Sequence, residues 1–99
     1  ETEYKEEGVI PDEETALAVG KTILEKYIGE PVEYETEDKI YYLEVTYAER
    51  ENAWVIYQTY KYKNPDWGWA GSGIISPSIN LNKSTGEVIR INTDSFFSD

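Results

Sequence analysis

The 99-residue chain has no cysteine, no histidine and no methionine, and only two phenylalanines. Without thiols there is neither a disulfide nor a cysteine nucleophile. Without imidazole there is no Ser–His relay, and the ligands that most zinc sites use are missing. Positive charge is also scarce: nine basic residues stand against twenty acidic ones, a formal net charge of −11. Such a surface repels phosphate backbones and anionic headgroups over roughly 8–10 Å at physiological salt, so direct nucleic-acid binding is not expected. No apolar run approaches the ~20 residues of a membrane-spanning helix. The missing start methionine and the polar opening Glu1–Gly8 read as a processed precursor, with residues 1–9 a tether left after a signal peptide is removed. That reading leans toward an exported or envelope-associated protein.

What the chain does have is tyrosine, nine of them, and acid concentrated at one end. Residues 1–50 hold fifteen acidic and five basic side chains, residues 51–99 only five and four. An acidic first half suits a basic partner, and it equally suits plain solubility and a solvated helix face. Within it, Ile10-Pro11-Asp12-Glu13-Glu14 marks a helix start: Asp12 can cap, and Glu13 and Glu14 complement the dipole. Ala16, Gly20, Ile23 and Tyr27, widened by Leu17, Leu24 and Ile28, form an apolar stripe at helical spacing. Gly20 in that stripe suggests close approach to whatever the helix covers. Gly29 ends the helix and Pro31 prevents a restart.

From Val32 the period changes to two. Val32–Glu37 alternates with so much acid that it reads as an edge strand or an extended lead-in. Ile40–Ala48 places Tyr41, Leu43, Val45 and Tyr47 on one face, opposite Tyr42, Glu44 and Thr46. Ala53–Tyr62 has bulk on both faces, which suits a central strand. Ile74–Asn82 and Glu87–Asn92 form a closing hairpin through Lys83–Gly86, where Gly86 supplies a positive φ. Pro77 requires its strand to start late, bulge, or lie on an edge. The expected architecture is α+β: one N-terminal helix on a curved antiparallel sheet of about four strands, spanning residues 10–94, with 95–99 as a tail.

Chemistry is thinly supported. The carboxylates form no spaced cation-binding loop, no glycine-rich phosphate loop follows a strand, and no cofactor or metal is implied. Tyr41, Tyr47, Tyr57 and Tyr60 offer hydroxyls to a pocket between helix and sheet, or simply pack across strands. Residues 63–73 form a long loop in which Trp67 and Trp69 flank Gly68. Large aromatics there either anchor a protein interface or cap an open end of the core. Tyr62, Asp66, Trp67 and Trp69 are the candidate partner-binding residues, and no catalytic residue is assigned.

Ile10–Ala16, the helix ending Tyr27-Ile28-Gly29-Glu30-Pro31-Val32, Trp54-Val55-Ile56 and the hairpin Ile79–Ile91 occur together in an order that resembles the bacterial NTF2-fold immunity family. The resemblance spans about residues 9–92 and implies an NTF2-like or cystatin-like fold. It also implies a non-enzymatic protein that binds and neutralises a toxin, one with a basic surface given the acidity of this chain. The chain departs from that family's glycine-rich segment before the penultimate strand, having Trp67–Gly73 there. Its helix and terminal hairpin also resemble PepSY-type modules, which implies the alternative of a secreted or envelope-anchored small-ligand-binding domain.

Overall fold

In the computed structural model, which describes residues 8–64, 66 and 77–93, helix α1 runs from Glu13 to Ile28. Its ends are those the local chemistry dictates. The Asp12 carboxylate accepts the Thr15 N–H at 2.8 Å, and this bond to a backbone donor is the main reason its pKa is lowered. At the other end Gly29, at φ 90°, donates its N–H to the Glu25 carbonyl. The buried row is Ala16, Gly20 and Leu24, with Leu17, Ile23 and Ile28 packed beside it. Tyr27, expected in the stripe, is instead 65% exposed. The contact follows an i, i+4, i+8 row, which is inclined to the helix axis and carries the buried face away from Tyr27 by the last turn.

Five strands form one antiparallel sheet in sequential order: β1 Tyr34–Glu35, β2 Lys39–Ala48, β3 Ala53–Tyr62, β4 Ser78–Asn82 and β5 Val88–Asn92. One helix packed on a curved antiparallel sheet is thus the architecture. The strand beyond the expected four is β1, a two-residue edge. It pairs because the chain turns back at Thr36, whose N–H donates to the Lys39 carbonyl and whose hydroxyl accepts the Lys39 N–H. β2 and β3 pair along all ten residues, joined by a 3-10 turn at Glu49–Glu51 and by Asn52 at φ 52°. β4 starts directly after Pro77, whose carbonyl still accepts the Gln58 N–H. Gly86, at φ 78°, closes the last hairpin, and a register irregularity falls at Asn80/Leu81.

The core lies between α1 and one sheet face, where Leu43, Trp54, Ile56, Ile79 and Leu81 meet Ala16 and Leu24. Chain outside the helix also seals it. Val9 and Ile10 donate their N–H groups to the Ser84 and Lys83 carbonyls, and the buried Trp54 indole donates to the Ile10 carbonyl at 2.8 Å. Ile10 is 1% exposed, so this segment belongs to the core.

Candidate functional site

The helix is shorter than the strands beneath it. Sixteen helical residues extend roughly 24 Å, whereas the ten residues of β2 or β3 extend about 33 Å. Trp54 lies under the start of the helix, Ile56 beneath Gly20, and Gln58 beside Val32 just past the helix end. The side chains beyond Gln58 on that face therefore have no helix above them. They are tyrosines.

Tyr34, Tyr41 and Tyr60 lie side by side on β1, β2 and β3, and Tyr62 follows Tyr60 along β3. Tyr34 stacks on Tyr41 with centroids 4.6 Å apart and planes 19° apart; Tyr41 meets Tyr60 at 5.7 Å, and Tyr60 meets Tyr62 edge-on at 5.7 Å. The Lys39 ammonium sits 4.8 Å from the Tyr60 centroid and 5.6 Å from that of Tyr62, so these rings already hold one cation. Tyr34, at the outer end, is 47% exposed.

Beside this ladder opens a cleft of about 550 Å³. Its apolar wall is Ile28, Pro31, Val32 and Pro77. Its remaining lining is Glu30, Tyr34, Gln58 and Thr93. The wall is fixed from both sides of Val32: the Val32 N–H donates to the Glu25 carboxylate at 3.1 Å, and the Gln58 amide donates to the Val32 carbonyl at 2.9 Å. On either side of Tyr34 in the chain, Glu33 pairs with Lys21 at 2.9 Å and Glu35 with Lys63 at 3.6 Å. Glu30 has no ion-pair partner among the described residues. The Tyr34 hydroxyl is pushed above the ordinary tyrosine range, first by burial, then by Tyr41 and by the negative charge of Glu30, against an opposing pull from Lys39.

The four tyrosines that the sequence offers to a pocket or to packing across strands are separated. Tyr41 and Tyr60 share the ladder. Tyr47 instead packs on Trp54 at 5.2 Å and donates its hydroxyl to Asn52 at 2.7 Å. Tyr57 is on the opposite sheet face, where it donates to the Glu44 carboxylate at 3.1 Å, and burial followed by that bond raises its pKa. Strand parity causes the split: Tyr57 and Tyr60 are three residues apart, hence on opposite faces. Of the candidate partner-binding residues, Tyr62 is in the ladder. Asp66 is exposed just beyond it, its N–H bonded to the Asn64 side chain at 2.9 Å. Trp67 and Trp69 lie outside the described residues. Sequence reading missed Tyr34, Gln58 and Glu30. The available signal was the ratio of helix to strand length, which places the residues after Gly29 over an uncovered sheet end.

No protein-family model, no curated protein and no solved structure matches the chain. Function must then be read from the chemistry of this end of the sheet. The described residues contain no group of three or more acidic side chains placed to hold a metal ion. The two carboxylates with shifted titration, Asp12 and Glu51, are both shifted downward, by hydrogen bonds from Thr15 and from Arg90 respectively.

Proposed function

We propose that the chain is a non-enzymatic recognition domain of the immunity kind, which binds and neutralises a bacterial toxin through a basic surface on that toxin. The observation that carries this reading is the tyrosine ladder that α1 does not reach at the end of the sheet, with an exposed Tyr34 at its outer end and acidic side chains beside it in the chain. Tyrosine supplies contact area at small entropic cost and is enriched at protein interfaces. Glu30, Glu33, Glu35, Glu37 and Asp38, all exposed, lie before, within and after β1 and bring to this edge of the sheet negative charge that favours a basic partner and speeds its approach. The toxin itself enters through the resemblance of the helix and hairpin motifs to the immunity family.

The test is co-expression with the toxin domain encoded in the neighbouring reading frame. The intact chain restores growth and forms a complex whose association slows as salt is raised. Cells that die regardless, or an on-rate indifferent to salt, would refute this reading. The cleft favours a second one, the binding of a small ligand, because about 550 Å³ falls within the range of small-molecule sites. Native mass spectrometry of protein purified from its own host separates the two: a retained small molecule supports the second reading, and bare protein counts against it.

A further inference from the structure

The cleft at the end of α1 differs from the rest of the surface in the polar groups it presents. Among the described residues, Glu30 is the one charged side chain in its lining, and it is exposed and without an ion-pair partner. The Gln58 amide nitrogen is committed to the Val32 carbonyl, which leaves its carbonyl oxygen as an acceptor. The cleft also adjoins the C-terminal end of a 16-residue helix, where the partial charge is negative and cations are favoured. Tyr34 has one ring face stacked on Tyr41 and remains 47% exposed, so its other face is open to a planar or cationic group.

Acceptors, a helix C-terminus, an unpaired carboxylate and an open ring face all select for the same chemistry. We infer that the cleft is the binding site for an arginine side chain presented by a short basic segment of the partner protein. The guanidinium lies flat on Tyr34 and directs its N–H fork at Glu30, while the aliphatic stem lies along Ile28, Pro31 and Val32. Arginine suits the site better than lysine because one planar group can stack and make a bidentate bond at once. Lys39 over Tyr60 and Tyr62 shows the neighbouring rings accepting a cation from the chain itself. This inference rests on the protein-recognition reading above and names which part of a basic partner is read.

The test is an NMR titration of the ¹⁵N-labelled full chain with the capped tripeptide acetyl-Gly-Arg-Gly-amide and, separately, with its citrulline analogue. Citrulline keeps the length and planarity of arginine but has a carbonyl oxygen in place of one terminal nitrogen, which removes the charge and two N–H donors. The arginine peptide gives saturable shifts that cluster at Val32, Tyr34, Gln58 and Thr93. The citrulline peptide binds about fivefold or more weakly, the scale of a solvent-accessible charge pair. Glu30→Gln weakens the arginine peptide by a similar factor, whereas Glu49→Gln, the same change of net charge in the turn between β2 and β3, changes it less than about twofold. Equal binding of both peptides, equal effects of the two glutamine variants, or shifts scattered over the acidic surface would overturn the inference. The toxin assay separates its failure from that of the broader reading. A toxin still captured when the peptide arm fails leaves the immunity function standing without this site. A saturating peptide arm with no toxin bound keeps the site and removes the immunity function.

Discussion

Gly20→Ala sets two effects of opposite sign against each other in one position. On helix propensity alone, alanine in the interior of α1 should stabilise by about 0.8–1 kcal/mol. The packing argues against it. A Cβ built on Gly20 lies 2.9 Å from Cγ1 of Ile56, 3.0 Å from its Cβ and 3.0 Å from its Cδ1. Rotation about χ1 can withdraw Cγ1 and Cδ1 but cannot move the Cβ of Ile56. Ile56 is fully buried in the central strand, between Val45 on β2 and Ile79 on β4, so relief requires the helix to lift from the sheet. Overpacking of that kind costs roughly 2–3 kcal/mol, and the net expectation is a loss of about 1–2 kcal/mol. In a domain of this size that lowers the melting temperature by roughly 5–15 °C. Thermal and urea unfolding, followed by far-UV circular dichroism, measure it. Ala18→Gly, at an exposed position of the same helix, supplies the propensity effect without the contact and should itself cost about 1 kcal/mol. If Gly20→Ala melts higher than the parent, the close approach does not constrain the fold and the argument fails.

Trp54→Phe removes the donor to the Ile10 carbonyl and part of a fully buried ring; the expected loss is about 2–4 kcal/mol, with faster amide exchange at Val9 and Ile10 if that contact seals the edge of the core. Glu51 and Asp12 have folded pKa values below their ordinary 4.5 and 3.8, so the unfolded chain binds more protons in acid. Their stabilisation is complete above those values and is lost as the pH falls through the lower folded ones. Glu51→Gln, which removes the charge that holds Arg90, should therefore flatten the fall of melting temperature below about pH 4.5; an unchanged acid limb would exclude this pair as a contributor. Replacing Trp67 and Trp69 together by alanine should weaken toxin capture and leave the melting temperature nearly unchanged. A large stability loss instead would assign both rings to the core.

The elements legible in the sequence are those whose causes are local. Asp12, Gly29 and Pro31 bound the helix through groups a few residues away, and Gly86 closes a hairpin of adjacent strands. Parity assigns the faces of β2 and β3. The same rule separates Tyr57 from Tyr60, as the structure has them. What was not legible depends on distant partners. Ile10 is sealed by a tryptophan 44 residues away, whereas β1, open in the sequence between an edge strand and a lead-in, is an edge strand held by the local turn from Thr36 to Lys39. Tyr27 matched the apolar period and still faces water, because the inclination of the helix on the sheet decides which row is buried. The cleft depends on Val32, Gln58, Pro77 and Thr93 meeting from four separate stretches of chain.

The same sheet face serves two purposes because the helix covers only part of it. Under the helix the side chains are aliphatic or tryptophan and fully buried, as with Trp54, Ile56, Ile79 and Leu81. Past its end a leucine or isoleucine would expose apolar surface to water and invite association through the nearby edge. Tyrosine avoids this, because its ring is covered by the next ring in the ladder and a phenolic hydroxyl can be hydrated where an aliphatic side chain cannot. The edge is also short, since β1 has two residues, and Glu35, Glu37 and Asp38 place charge on it and on the turn that follows. Those acids discourage strand addition by a neutral or acidic chain, and they attract a basic one. On the proposed reading, one arrangement prevents indiscriminate pairing and selects a partner by charge. Glu30, without an ion-pair partner among the described residues, lines a cleft beside the exposed ring of Tyr34, a placement that solubility alone does not require.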